Sequence, residues 1–303
     1  MIARTILLLV LVISFGQGCS IKRMAVNKLG DALAAGGTTF SSDDDPDLIR
    51  DAVPFSLKLM ESLLAESPGH RGLLLATSSG FTQYAFAFVQ QDADELEDRD
   101  LAASTALRKR AARLYLRARN YGLRGLEVGH RDFEKELRVN PKEVVRRLKS
   151  PNDVPLMYWT AASCGAAVSA SKDNPDVIAD LPMVEALIDR ALELDEKFDQ
   201  GAIHVFLITY EMVRPGGKAN GEAKARKHFE RAIELSKGQL ASPYVALAEQ
   251  VSVAKQDKAE FQSLLNKALA INPDAKPEWR LLNLVMQRRA RWLLGRTDQL
   301  FVE

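Results

Sequence analysis

Ala225-Arg-Lys-His-Phe229-Glu-Arg-Ala232 and Phe261-Gln-Ser-Leu-Leu265-Asn-Lys-Ala268-Leu-Ala-Ile-Asn-Pro273 carry the same pattern. A large apolar residue is followed three positions later by alanine, and the residue four positions before it is small or apolar. Steps of three and four place all three slots on one face of an α-helix. Ala111, Tyr115 and Ala118 repeat the pattern; Val184, Ile188 and Ala191 repeat it more loosely; Ser56, Met60 and Leu63, ending at Pro68, are a degraded copy. A helix pair of this kind cannot bury its own apolar face, so pairs stack, and the small residues let the helices approach closely. The remainder agrees. Leu57, Met60, Leu63 and Leu64 recur at helical spacing, and no segment alternates apolar and polar residues for long. Breaks fall at Ser67-Pro68, Asn140-Pro141, Ser150-Pro151, Asn174-Pro175, Arg214-Pro215 and Asn272-Pro273.

These slots resemble the tetratricopeptide repeat, whose period is about 34 residues. Ala191, Ala232 and Ala268 stand 41 and 36 residues apart, so the loops are enlarged. The expected fold is all-α, a tetratricopeptide-like array of degenerate repeats forming one helical domain over 46–303.

Composition narrows the function. The chain has 303 residues, 47% apolar and 27% charged, with 41 basic and 40 acidic side chains. That is a folded chain, not a disordered or polytopic membrane protein. A formal charge of +1 argues against a nucleic-acid partner. Two cysteines do not make a disulfide scaffold, and no motif calls for a metal or cofactor. His70, His130, His204 and His228 form no zinc-binding spacing. Ser252-Val-Ala-Lys255 lacks the partner motifs of a serine enzyme, and Pro215-Gly-Gly-Lys218 lacks those of a phosphate loop, so it reads as a turn. No nucleophile–base pair is visible, and the chain reads as a non-enzyme. The basic runs Arg108-Lys-Arg110 and Arg288-Arg-Ala-Arg291 read as solvated helix faces.

The N-terminus reads as a targeting segment. Arg4 precedes the apolar run Thr5–Phe15, and Gly18 precedes Cys19. That run is about half the roughly 20 residues a spanning helix needs. Residues 1–18 are therefore expected to be a signal peptide. Gly18-Cys19 resembles the lipobox of bacterial lipoproteins, in which Cys19 becomes the lipidated first residue, although Gly16 stands where such boxes carry an aliphatic residue. Ser20 after the cysteine resembles an outer-membrane address facing the periplasm. Residues 19–45 are expected to form the lipidated segment and a polar loop. Cys164 is left as a small buried hydrophobe.

Two stretches, 72–91 and 154–171, carry no charge. A helix without a charged face is normally buried all round. Their aromatic residues, including Tyr84, Phe88, Tyr158 and Trp159, are either packing or the lining of an apolar groove or channel.

Longer strings resemble a family. They are Arg113-Leu-Tyr-Leu-Arg-Ala-Arg-Asn-Tyr-Gly-Leu123, Tyr158-Trp-Thr-Ala-Ala-Ser-Cys-Gly-Ala-Ala167, Ile178-Ala-Asp-Leu-Pro182, Gly201-Ala-Ile-His204, His228-Phe-Glu-Arg-Ala232 and Pro277-Glu-Trp-Arg-Leu-Leu-Asn283. In this order they resemble the T-component of TRAP transporters, often called TatT, a periplasmic lipoprotein with cryptic tetratricopeptide repeats. The resemblance implies an accessory that docks a TRAP-type solute-binding protein, forms a homo-oligomer and holds or passes a small apolar or amphipathic ligand through an internal channel. Tyr158, Trp159, His204, Tyr244 and Asn283 in or near these strings are then channel candidates, each with an alternative role in packing. The competing expectation is a scaffold lipoprotein serving outer-membrane protein assembly or peptidoglycan enzymes.

Overall fold

Aspartate side chains cap the starts of several helices. The Asp45 carboxylate accepts from the Asp47 and Leu48 amides, that of Asp100 from Ala103, and that of Asp257 from Glu260. Each bond satisfies an amide that the first turn leaves unpaired. The computed structural model describes residues 24–215 and 220–302. The expected signal peptide, Cys19 and residues 216–218 of the turn expected at 215–218 lie outside the described residues.

After α1 (residues 24–34) come α2 (Pro46–Glu66), α3 (Arg71–Tyr84), a π-turn (Ala85–Gln90), α4 (Gln91–Leu96) and α5 (Leu101–Glu127). The short α6 (Phe133–Val139) and α7 (Pro141–Val144) lead to α8 (Val154–Ala170), α9 (Pro175–Ile178), α10 (Leu181–Leu194) and α11 (Ala202–Val213). Then follow α12 (Gly221–Ser236), α13 (Ser242–Leu247), a second π-turn (Ala248–Ser252), α14 (Val253–Lys255), α15 (Lys258–Leu269), α16 (Arg280–Gly295) and α17 (Thr297–Leu300). The described residues contain no strand, and the chain is an all-α helical-repeat fold.

Neighbours in sequence pack in order: α2 on α3, α3 on α5, α5 on α8, α8 on α10, α11 on α12, and α15 on α16. The alanine slots lie at these contacts. Ala111, Tyr115, Ala118, Ala191, Ala225, Ala232, Leu265 and Ala268 are all buried. Gly122 and Gly125 bring α5 close to α8. A Cβ at Gly122 would lie 2.2 Å from Thr160 Oγ1, and one at Gly125 would lie 2.5 Å from Leu156 Cδ2. The apolar interior forms successive clusters. Leu57, Phe81 and Tyr115 belong to one, Leu123, Met157 and Leu187 to the next, and Ile208, Val251 and Phe261 to the last. Full burial of such a side chain stabilises by about 2 kcal/mol, against about 0–1 for an exposed ion pair, so stacking holds the array. Cys164 is buried, as expected, and burial pushes its thiol up to about 12, so it stays protonated and inert.

The two ends of the array meet. The Leu281 amide, at the start of α16, donates to the Ser41 carbonyl (3.0 Å), and Arg280 donates to the Ser42 carbonyl (2.7 Å). Arg288 bonds Asp92 and Glu95 on α4, and Arg289 bonds Gln91 and Asp94. This corrects the expectation of a solvated face for 288–291, because Arg289 is only 7% exposed. A buried guanidinium requires carboxylate partners, and α4 with Glu249 supplies them.

Candidate ligand-binding site

The charge-free stretches became α3 with its π-turn, and α8. Neither is buried all round. On α8, Tyr158, Trp159, Ala162, Gly165 and Ala166 recur at helical spacing and are half-buried, while Met157, Thr160, Ala161 and Cys164 on the other side are buried. On α3 and its π-turn, Leu75, Ala76, Ser79, Phe86 and Ala87 form a similar half-buried face. α11 adds Val205, Phe206 and Met212. The faces are connected: α3 packs on α8, and Phe206 lies 3.5 Å from the Cβ position of Gly165. The result is an apolar, uncharged, water-accessible stripe across three helices. Such surface suits an apolar ligand or partner.

Aromatic rings crowd one end of the stripe. Tyr158 meets Trp159 edge-on at 5.0 Å between ring centroids and Phe198 at 5.3 Å. Phe198 is held there by a sharp turn in which Asp199 and Gln200 both adopt left-handed backbone, with φ of 44° and 55°. Left-handed backbone at a residue other than glycine stores about 1–3 kcal/mol and persists only where the surroundings enforce it. Asp199 is solvent-accessible, yet protein crowds it enough for desolvation to raise its pKa. Burial, assisted by the Asp199 charge, likewise holds the Tyr158 phenol above its ordinary value.

The other candidate residues lie elsewhere. Tyr84 and Phe88 are buried on the opposite side of the helix from the stripe, in the cluster with Tyr115, and their rings are 5.7 Å apart. His204 is buried, with Nδ1 2.9 Å from Nδ1 of His228, so one ring donates and the other accepts. Desolvation, helped by His228, lowers the pKa of His204 to about 4, and desolvation also lowers that of His228.

Tyr244 and Asn283 do come together. They line a cavity of about 410 Å³ beside the C-terminal ends of α12 and α15, with Gln239, Lys267, Ile271 and Lys276. The Asn283 amide holds the wall: Oδ1 accepts from the Ala241 amide (2.9 Å) and Nδ2 donates to the Gln239 carbonyl (3.1 Å). One turn along α16, Gln287 Nε2 donates to the carbonyls of Ala268 (3.1 Å) and Ile271 (2.8 Å), sealing the end of α15. Gly238 turns the chain with φ of +68°, and the Tyr244 hydroxyl lies 3.3 Å from where its Cβ would be, so a larger residue there is strained and crowds the hydroxyl. Burial raises the Tyr244 pKa.

Sequence reasoning did not single out Phe198, Phe206, Lys267, Lys276 or Gln239. The apolar composition of α11 was the available signal for Phe206. Nothing local marks the two lysines, which approach the cavity from separate elements.

Comparison with known proteins adds two findings. A family model described as TRAP transporter T-component matches residues 42–301. A protein of Treponema pallidum (strain Nichols), described as uncharacterized, is 29% identical over 303 residues, covering 94% of each chain.

Proposed function

The chain belongs to the TRAP transporter T-component family and is an accessory component of such a transport system; from that premise we propose that it is a non-catalytic periplasmic lipoprotein that docks a TRAP-type solute-binding protein. In this reading it assembles as a homo-oligomer, and the stripe over α3, α8 and α11 holds or passes a small apolar or amphipathic ligand. The observation that carries the reading is the family match over 42–301, which spans α2 to α17. The uncharged stripe supports the ligand role, because a scaffold with a polar docking face has no need of one.

No helix among the described residues is long and apolar enough to cross a membrane. The Gly18-Cys19 pattern is the support for attachment through lipid on Cys19, which in this reading tethers the array near its partner. One acyl chain binds only marginally, so the tether relies on several. Replacing Cys19 with serine is expected to release the protein from washed membranes; retention would refute the tether. Co-purification from detergent-solubilised membranes tests the partner. Recovery of a solute-binding protein of a TRAP system supports the reading. Recovery of barrel-assembly factors or wall hydrolases in its place overturns it.

A further inference from the structure

We propose that the cavity beside the ends of α12 and α15 binds the charged end of a small organic anion with an apolar body. The inference narrows the ligand class of the reading above and rests on it only for the idea that a ligand is carried. Lys267 and Lys276 both line the cavity, and no aspartate or glutamate is among its described lining residues. Neither lysine forms an ion pair among the described residues; the Lys276 ammonium instead lies 3.9 Å from the centre of the Trp279 ring. Many described lysines lack an ion pair; what sets these two apart is that they line the same cavity, from separate elements, with no carboxylate lining it beside them. Lys267 is in the last turn of α15, where a cation also favours the helix dipole. The carbonyls there are already bonded to Gln287, so its ammonium group is free for a ligand.

The rest of the lining matches an amphipathic anion. The Tyr244 hydroxyl can donate to an anionic oxygen, and its raised pKa keeps it protonated. The Gln239 Oε1 is buried without a hydrogen-bond partner, and a buried polar atom left unpaired is costly. Its amide offers an oxygen or, turned over, a donor to the ligand. Ala270, Ile271 and Ala275 supply apolar wall. At about 410 Å³ the cavity lies within the range usual for small-molecule sites. Asn283 is committed to the backbone and acts as a positioning residue.

The test is calorimetric titration of the intact protein with hexanoate, hexylamine, inorganic phosphate and vesicles containing phosphatidylglycerol. Hexanoate is expected to bind saturably, more weakly as salt rises, and hexylamine is expected not to bind. Lys267→Gln or Lys276→Gln should each weaken hexanoate about fivefold, and Lys267→Glu with Lys276→Glu about thirtyfold or more. Both lysines are accessible, so the variants should keep the parent melting temperature. Hexanoate should also change tryptophan emission, and Trp279→Phe should remove that change. Equal binding of hexylamine, or unchanged hexanoate binding in the double variant, would overturn the proposal. So would binding of phosphate alone, which needs no apolar wall, or of vesicles alone, which marks a lipid surface. Because binding is read on the isolated protein, this outcome is separate from capture of a solute-binding protein.

Discussion

Replacing Arg289 with methionine tests whether the array is held closed by its ends. The guanidinium donates to Glu249 Oε2 (2.8 Å), Gln91 Oε1 (2.8 Å) and Asp94 Oδ2 (3.1 Å), and it lies 5.1 Å from the centre of the Trp292 ring. Methionine keeps most of the length and removes the charge. Glu249 and Asp94 are then left partly buried, with side chains 24% and 13% exposed. Breaking a buried pair costs about 3–5 kcal/mol. Asp94 retains Arg108 at 3.3 Å and Glu249 is partly wet, so the lower end, about 3 kcal/mol, is expected. Arg289 ties α16 to α4, far away in sequence, so the loss should appear first as local opening of α16. Amide exchange in 280–295 should accelerate about 100-fold, while exchange in α5 and α8 changes little. In a Glu249→Gln background the same substitution should cost about 1 kcal/mol, since one stranded charge is already gone. A stability loss below about 1 kcal/mol in the parent background, or acceleration spread evenly over all helices, would refute the latch.

Three further outcomes follow from single contacts. Gly122→Val should destabilise by about 3 kcal/mol or more, since a Cβ there meets Thr160 Oγ1 at 2.2 Å, and adding Thr160→Ala should return part of the loss in thermal melts. His204 has a folded pKa of about 4, below the ordinary 6.5, so its neutral form is favoured in the fold. That stability is complete above pH 6.5 and lost as pH falls toward 4, about 3 kcal/mol in all, with His228, Glu196 and Arg231 the groups facing it. His204→Asn should flatten urea midpoints across that window, and an unchanged pH slope would count against the buried-pair account. Asn283→Leu strands the Ala241 amide and the Gln239 carbonyl and should cost about 2–3 kcal/mol in chemical unfolding.

Much of the fold was legible because its causes are local. Ser150, Asn174 and Asn272, read as breaks from the proline that follows each, cap helical turns within two residues of themselves, and the alanine slots at 118, 191, 232 and 268 mark contact faces through spacing alone. The stripe was half legible. Absence of charge identified α3 and α8, but not which side stays open, because an uncharged helix presents no polar face to betray its orientation. Tyr84 and Tyr158 are therefore alike in sequence and opposite in placement. The lysine-lined cavity was not legible at all, since Lys267 and Lys276 look like any solvated cation until the turn at Gly238 and the start of α16 are placed around them.

The closure was hidden for a different reason. A π-turn accommodates one extra residue in a helix and so displaces every later side chain by about 100° from the face that a regular count assigns. One such turn, Ala85–Gln90, immediately precedes Gln91 and Asp94; the other, Ala248–Ser252, contains Glu249. All three residues bond Arg289. A helical wheel of constant period carried through 85–90 therefore misplaces Gln91 and Asp94, the residues that follow that turn. Residues at both π-turns meet at Arg289, the one arginine buried among the described residues. The turn at Ala85–Gln90 rotates Gln91 and Asp94 within a continuous helical run, Glu249 reaches in from the second π-turn, and Arg289 thereby ties both to α16.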